Sequence, residues 1–126
     1  MPGDKSNTAL RADFVEMLGL LFTYATRTGY RLIITAVYRT PEEQKALFDR
    51  GLTKLDGFIK KSKHQLWRAV DLCIIDAESR PQWEHDGYKA LGEYWKSIGG
   101  TWGGDWASLN DVYHFELQSE KERFIR

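Results

Sequence analysis

Residues 62–75 read SKHQLWRAVDLCII, a polar segment that runs directly into an apolar one. The apolar part, from Ala69 to Ile75, is rich in residues that favour β-structure and predicts a buried strand. His64 precedes this strand and Asp71 lies within it, seven residues further along. A helix could also hold residues seven apart on one face, but the β-rich composition favours a histidine on a loop and an aspartate on a strand.

The segments before this stretch predict a helix, a strand and a second helix. Apolar residues at helical spacing predict a first helix that is capped by Asn7 or Thr8 and ends by Gly29. Residues 30–38 are mostly β-branched and aromatic, which predicts a strand. Residues 40–51 predict the second helix, because their opening TPEE supplies an N-cap, a proline at the first helical position and an acidic first turn.

The segments after this stretch alternate between loops and regular elements. Residues 76–86 are polar and predict a loop, whereas apolar residues between 88 and 98 predict a third helix closed by two glycines. A loop rich in glycine and tryptophan at 101–110 then leads to a short strand at 112–117 and a terminal helical turn within 119–126. Helices that precede and separate a small set of strands indicate an α+β fold with a small antiparallel sheet flanked by helices.

Length and composition restrict the class of protein. The 126 residues predict one domain, 1–126, and we expect a monomer. A formal net charge of zero argues against a nucleic-acid partner. Residues 1–5 do not read as a signal peptide and no apolar stretch is long enough for a membrane segment, so synthesis in the cytoplasm is expected. The single cysteine, Cys73, excludes an internal disulfide and predicts a buried structural thiol.

A second motif, DVYHFE at residues 111–116, supplies further metal-binding chemistry. Asp111 and His114 are three residues apart, so a turn that enters a strand can direct both at one point. A catalytic zinc needs three protein ligands, an open fourth position for water and a nearby base. His64, Asp71 and His114 can be the ligands and Asp111 the base, and two of the three histidines in the chain lie in these motifs.

Simpler structural interpretations exist for the same residues. A single histidine is usually a polar group whose hydrogen bonds are satisfied within the protein. Asp71 could cap a turn or pair with Arg68. The third histidine, His85, lies in a polar stretch and is predicted to be a surface or capping residue. Glu116 is expected on the same face of a strand as His114, where it could orient that imidazole or be a surface charge.

The pattern S-x-H-x6-D followed by D/E-x-x-H resembles the zinc D,D-carboxypeptidases and L-alanyl-D-glutamate endopeptidases that cut peptidoglycan stem peptides, including small phage endolysins. The resemblance extends from about residue 29 to residue 116 and includes YRTPEEQ at 38–44 and WGGDW at 102–106. It implies the compact α+β fold that these enzymes share with the hedgehog signalling domain.

The resemblance implies that His64, Asp71 and His114 bind Zn²⁺ and that Asp111 is the general base. The base is an aspartate, whereas some D-Ala-D-Ala-cleaving members have a glutamate. The resemblance associates an aspartate base with the endopeptidase type.

The resemblance also implies that Arg39 stabilises the oxyanion, a role that suits a permanently charged, forked guanidinium. An ion pair of Arg39 with Glu42 or Glu43 is the structural alternative. Ser62 is implied to lie near the metal and orient a neighbour, and Gln44 to support Arg39.

Trp67 departs from the pattern, because the family usually has glycine at this position. The substitution predicts that the backbone here does not need a glycine-only conformation. The indole is predicted to form a wall of the cleft, with a core position as the alternative. The aromatic residues near the second motif likewise either fill the core or line a groove.

The function that the resemblance implies is hydrolysis of amide bonds in peptidoglycan stem peptides, with the L-Ala–D-Glu bond favoured. The expected setting is phage or prophage lysis, in which the enzyme stays in the host cytoplasm until a separate membrane pore releases it to the cell wall. The alternatives are a D,D-carboxypeptidase and a non-catalytic, zinc-stabilised binding module. The presence of both Asp111 and Arg39 argues against the binding module.

Overall fold

The computed structural model describes residues 5–123, so the expectations for the first four residues and for the last three residues of the tail lie outside the described part. The helices are α1 (Asn7–Thr28), α2 (Pro41–Asp49), α3 (Gly87–Ser97) and α4 (Glu120–Arg123). The strands are β1 (Arg31–Ala36), β2 (Ala69–Ile75), β3 (Pro81–Gln82), β4 (Thr101–Trp102) and β5 (His114–Glu116). Short 3-10 helices occupy Lys63–Leu66 and Gly103–Asp105.

The strands form one antiparallel sheet in the order β1-β2-β5-β4, and β3 also pairs with β2. The predicted α+β class, with a small antiparallel sheet flanked by helices, is therefore confirmed. The register of the two central strands matters most, because Asp71 of β2 lies directly opposite His114 of β5. Directly opposed residues on paired strands lie within side-chain contact, so sheet pairing itself joins the two sequence motifs.

The core lies where α1 and α3 pack against the sheet, and Trp95 of α3 is at its centre. Its fully buried ring makes edge-to-face contacts with Phe14 of α1 and Phe115 of β5. Its indole N–H is 2.9 Å from the carbonyl oxygen of Glu116 and 3.1 Å from that of Thr101. A buried indole whose N–H is hydrogen-bonded can pack without an unsatisfied polar group, and the hydrogen bonds fix the orientation of its ring. Trp95 thus holds in place the strand that carries His114.

Several predicted boundaries need correction. Ser6, rather than Asn7 or Thr8, caps α1, because its hydroxyl accepts a hydrogen bond from the amide of Ala9 at 3.1 Å. Gly29 ends that helix in the left-handed conformation, at φ 89°, as the sequence predicted.

The remaining differences are small. The predicted loops at 76–86 and 101–110 contain the two-residue strands β3 and β4, and the predicted strands at 30–38 and 112–117 are shorter than expected. Cys73 is a buried free thiol in β2, as predicted. Within residues 5–123 no helix has the length and apolar character needed to cross a bilayer.

Candidate metal centre

Three potential metal ligands converge at the point where β2 meets β5. One nitrogen from His64, one from His114 and one oxygen from Asp71 all lie within 4.8 Å of one another. His64 is carried by the 3-10 helix before β2, Asp71 by β2 and His114 by β5. The structure therefore brings together the three residues that the two motifs nominated as ligands.

The orientation of the His64 ring is fixed from both sides. Its Nδ1 is 2.8 Å from the carbonyl oxygen of Val37, which can only accept a hydrogen bond, so Nδ1 carries the proton. Its Nε2 is therefore the nitrogen that can face a metal, and it is 3.2 Å from Oδ1 of Asp71. The hydroxyl of Ser62 accepts a hydrogen bond from the backbone amide of His64 at 3.1 Å, so Ser62 orients its neighbour as the resemblance implied.

The His114 ring is fixed by Glu116. Nε2 of His114 is 2.8 Å from Oε1 of Glu116, whereas Nδ1 is 3.0 Å from Oδ1 of Asp71. Glu116 is buried, which excludes a role as surface charge, and its other oxygen accepts a hydrogen bond from Gln118 at 3.1 Å. A carboxylate that accepts one imidazole N–H leaves the other nitrogen free to bind a cation. Glu116 thus directs Nδ1 toward the other two donors.

The charges within the cluster favour a bound cation. Burial raises the pKa of Asp71, but hydrogen bonds from His114 and His64 outweigh it and hold the pKa well below the usual range. Burial lowers the pKa of His114, but hydrogen bonds to Asp71 and Glu116 outweigh it and raise the pKa to about 9. When a metal replaces the proton on Nδ1 of His114, the two imidazoles and the ionised carboxylate form a donor set that fits zinc.

Metal uptake by the free protein is therefore expected to depend on pH. A proton on Nδ1 of His114 competes with the metal. This proton is bound at pH values below the raised pKa of about 9. Because one proton leaves for each metal bound, the apparent zinc affinity should rise about tenfold per pH unit between about pH 6 and pH 8. Competition titrations with a chelator measure this slope, and a His85→Gln variant serves as the control. An affinity that stays constant across this range would contradict the assignment.

Asp111 lies beside the three donors, on the turn that enters β5. Its backbone amide donates to the carbonyl oxygen of Gly103 at 2.9 Å, and the amide of His114 donates to the carbonyl oxygen of Asp111 at 3.2 Å. A Cβ atom at Gly103 would lie 2.5 Å from that same carbonyl oxygen of Asp111, so only glycine permits this approach. Burial raises the pKa of the Asp111 carboxyl. A raised pKa suits a group that takes up a proton, and the base assignment stays a prediction.

Arg39 points into the same region. Its Nη2 is 4.0 Å from Oδ2 of Asp71, and its Nη1 donates to Oε1 of Gln44 at 2.9 Å. Gln44 is fully buried and its own amide donates to the carbonyl oxygen of Leu55 at 2.9 Å. The carboxylate of Glu43 instead accepts the amide of Thr40 in a capping box. Gln44 therefore supports Arg39, as the resemblance implied.

The alternative pairing of Asp71 with Arg68 is wrong. The buried guanidinium of Arg68 makes two hydrogen bonds to Glu122 of α4, at 2.7 and 2.9 Å. Lys63, next to His64, is 3.1 Å from the same carboxylate. This cluster anchors the C-terminal helix to the segment that carries His64, and it leaves Asp71 to the two imidazoles. No local sequence pattern predicts it, because the partners are 54 residues apart.

The expectation for the backbone at Trp67 is also wrong. Trp67 has φ 60° and ψ 36°, the left-handed region in which glycine is favoured. The residue ends the 3-10 helix of His64, where a left-handed residue terminates the turn. The side chain is 43% exposed and stacks on Tyr38 with ring centroids 4.6 Å apart, which rules out a core position. The tryptophan therefore retains the backbone conformation that the family glycine would supply.

Replacement of Trp67 by glycine should have little effect on stability. The change relieves the left-handed conformation, by about 1 kcal/mol, and removes a ring stack of about 0.5–1.5 kcal/mol, so the two effects nearly cancel. Trp67→Ala keeps the unfavourable backbone and should be the less stable variant by about 1 kcal/mol. Urea unfolding measures both variants. A loss of about 3 kcal/mol or more in Trp67→Gly would show that the ring belongs to the core after all.

The aromatic residues near the second motif divide into two groups. Trp102 is buried and its indole donates to the carbonyl oxygen of Val112 at 2.9 Å, so it fills the core. The ring of Trp106 instead lies 5.0 Å from the ring of His114, at a tilt of 45°. His85 is exposed, which agrees with the predicted surface or capping position, and it accepts a hydrogen bond from the amide of Gly87, the first residue of α3.

Comparison with known proteins agrees with this geometry. The profile of a family described as D-alanyl-D-alanine carboxypeptidase matches residues 58–117, which contain the candidate ligands and Asp111. The peptidoglycan L-alanyl-D-glutamate endopeptidase CwlK of Bacillus subtilis (strain 168) is 28% identical, over 74% of this chain and 64% of the relative. The chain thus spans somewhat less than two thirds of the length of that curated relative.

Solved structures show the same architecture. The L-Ala D-Glu endopeptidase ChiX of Serratia marcescens is 25% identical with a TM-score of 0.68, and the match covers 85% of this chain and 79% of ChiX. A vancomycin resistance D,D-pentapeptidase VanY, solved in complex with Zn(II), is 22% identical with a TM-score of 0.59, covering 83% of this chain and 70% of VanY. These comparisons show that the chain is similar to the D-alanyl-D-alanine carboxypeptidases and L-alanyl-D-glutamate endopeptidases, the resemblance that its two motifs predicted.

Proposed function

We propose that the chain is a zinc-dependent peptidase that hydrolyses amide bonds in bacterial peptidoglycan stem peptides. The observation that carries this proposal is the convergence of His64, Asp71 and His114, with both imidazoles held so that one nitrogen of each faces the shared point. Asp111 and Arg39, which a purely structural metal site would not need, lie at its edge.

The three donors would hold the metal through Nε2 of His64, a carboxylate oxygen of Asp71 and Nδ1 of His114. A bound zinc ion supplies Lewis acidity, which polarises the scissile carbonyl and acidifies the attacking water. Three protein ligands leave a position open for substrate or water, as catalytic sites require. The buried hydrogen bonds to Val37 and Glu116 keep both imidazoles in the orientation that this binding needs.

Two further side chains carry the proton transfer and the charge stabilisation. Asp111 accepts the proton of the attacking water and then delivers it to the amine that leaves, as general base and general acid in turn. Arg39 donates hydrogen bonds to the carbonyl oxygen as negative charge develops on it. Because Gln44 holds Nη1 of Arg39, the guanidinium is preorganised for this task.

We propose the L-Ala–D-Glu bond as the scissile bond. CwlK and ChiX, both named for this activity, support the choice, and the aspartate base supports it through the family resemblance. A D,D-carboxypeptidase is the second candidate, which the description of the matching family favours. The likeness to VanY, at 22% identity, supports the fold alone.

The products released from purified peptidoglycan test the proposal. Digestion followed by mass spectrometry should reveal new amino-terminal D-Glu and glycan-linked L-Ala, and an Asp111→Asn protein serves as the control. Free D-Ala would instead identify a D,D-carboxypeptidase. If neither product exceeds the control, the chain is not a peptidoglycan peptidase.

As the biological setting we propose phage or prophage lysis, in which one catalytic domain acts as a monomer. The similarity of the motifs to those of small phage endolysins supports this setting. Expression inside a bacterium should leave the culture intact until a separate pore-forming protein is induced, after which the cells should lyse. Lysis without the pore would contradict the proposed release from the host cytoplasm.

A further inference from the structure

Two exposed aromatic rings stack on each other beside the candidate metal centre. The rings of Tyr38 and Trp67 have centroids 4.6 Å apart and planes within 15° of parallel. Although each ring covers a face of the other, Tyr38 remains 42% exposed and Trp67 43% exposed. We refer to Tyr38 and Trp67 together as the ring pair.

The backbone ties the ring pair to the metal centre on both sides. Tyr38 lies between Val37, whose carbonyl oxygen accepts the Nδ1 hydrogen bond of His64, and Arg39, which faces Asp71. Trp67 closes the 3-10 helix of His64, and its amide donates to the carbonyl oxygen of that histidine at 3.3 Å. A ligand on the ring pair would therefore contact residues that are next in the chain to Arg39 and to the 3-10 helix of His64.

The ring pair is held in place at a conformational cost. Trp67 adopts φ 60°, where a bulky residue is strained, and strain of this kind concentrates at functional sites. The guanidinium carbon of Arg11 lies 5.7 Å from the Trp67 ring centroid, a cation–π contact that further restricts the ring. An exposed apolar surface that is held in a fixed position by a strained backbone is suited to binding a ligand rather than to packing in the core.

We propose that the ring pair binds a sugar ring of the peptidoglycan glycan strand. The C–H faces of a pyranose are apolar and slightly positive, so they stack on the negative faces of aromatic rings. The guanidinium of Arg11 adds donors for sugar hydroxyl or acetamido oxygens. This inference rests on the proposed function, because the L-Ala of the stem is attached directly to a muramic acid, one residue from the L-Ala–D-Glu bond. A sugar would be absent from the far end of the stem, where a D,D-carboxypeptidase acts.

The proposal is tested by binding a probe that the proposed activity cannot cut. The probe is the disaccharide N-acetylglucosaminyl-N-acetylmuramyl-L-alanine, and N-acetyl-L-alanine is the matched compound without sugar. Nuclear magnetic resonance titration of the zinc-loaded protein should show tighter binding of the disaccharide by about three- to tenfold. The indole N–H signal of Trp67 should shift with the disaccharide alone.

Variants of the ring pair then distinguish a loss of ring stacking from a general loss of protein structure. Tyr38→Leu and Trp67→Gly should each abolish the advantage of the disaccharide, whereas Tyr38→Phe, which keeps the ring, should preserve it. Phe48→Leu is the matched control, because Phe48 is 41% exposed and lies on α2 outside the ring pair. Comparing the two compounds within each variant cancels any change in the metal centre.

Each outcome decides the proposal independently of the enzymatic activity. Equal affinity for the two compounds in the unmodified protein, or an advantage that persists in Tyr38→Leu and Trp67→Gly, would overturn the sugar site. If L-Ala–D-Glu cleavage occurs without sugar binding, the proposed function stands and this inference fails. If sugar binding occurs without that cleavage, the inference stands and the assigned bond is wrong.

Discussion

Replacement of His114 by alanine is expected to remove the metal and to reduce peptidoglycan hydrolysis to background. Nδ1 of this histidine is one of three donors at the centre, and two donors hold zinc far more weakly than three. The zinc content measured by elemental analysis should fall from about one ion per chain to well below one. The variant also leaves Glu116 buried without its imidazole partner, which is itself destabilising.

A second variant separates metal loss from unfolding. His64→Ala removes a different donor but keeps the contact between His114 and Glu116, so its fold should suffer less while its zinc is still lost. His85→Ala, in the third histidine of the chain, is the matched control and should keep both zinc and activity. A folded His114→Ala protein with its full zinc content would remove this residue from the site.

Replacement of Asp111 by asparagine should also abolish hydrolysis, but unlike the His114 variant it should retain the metal. Asparagine keeps the size of the side chain and can still accept the hydrogen bond from the amide of Tyr113, but it cannot take up the proton of water. Turnover should fall by about 10²–10⁴-fold, the usual scale for removal of a general base. Zinc content and thermal unfolding should stay close to those of the unmodified protein.

The metal analysis of this variant distinguishes two roles for Asp111. If Asp111→Asn loses its zinc along with its activity, Asp111 is a ligand and the base must be another group. If it keeps both zinc and full turnover, the proton is taken up elsewhere. Asp105→Asn is the matched control, since Asp105 lies on the same loop but pairs with Lys96 at 2.9 Å.

The sequence was most informative where a short run of residues carries a strong local pattern. The boundaries of β2 could be predicted because residues 69–75 are almost uniformly apolar. The cap of α2 could be predicted because Thr40 is followed by a proline and an acidic first turn, and the structure adds a capping box between Thr40 and Glu43. The two-residue strands β3 and β4 could not be predicted, since so few residues have no periodicity and are defined by their partner strands.

The candidate site also has parts that the sequence predicts and parts that it does not. Its donors could be nominated because two short motifs each contain a histidine and an aspartate, and the sheet register then joins Asp71 to His114. The anchor between Arg68 and Glu122 could not be predicted, because it depends on long-range folding. The prediction of a relaxed backbone at Trp67 is wrong, because a tryptophan can retain the left-handed conformation that glycine favours.

We propose that one metal ion, held by His64, Asp71 and His114, makes this chain a peptidase. The most direct test is to strip the protein with a chelator and add zinc back in steps while peptidoglycan hydrolysis is measured. We expect no hydrolysis without metal and a linear recovery that ends at about one zinc per chain. Full hydrolysis by the stripped protein, with no response to added zinc, would contradict it.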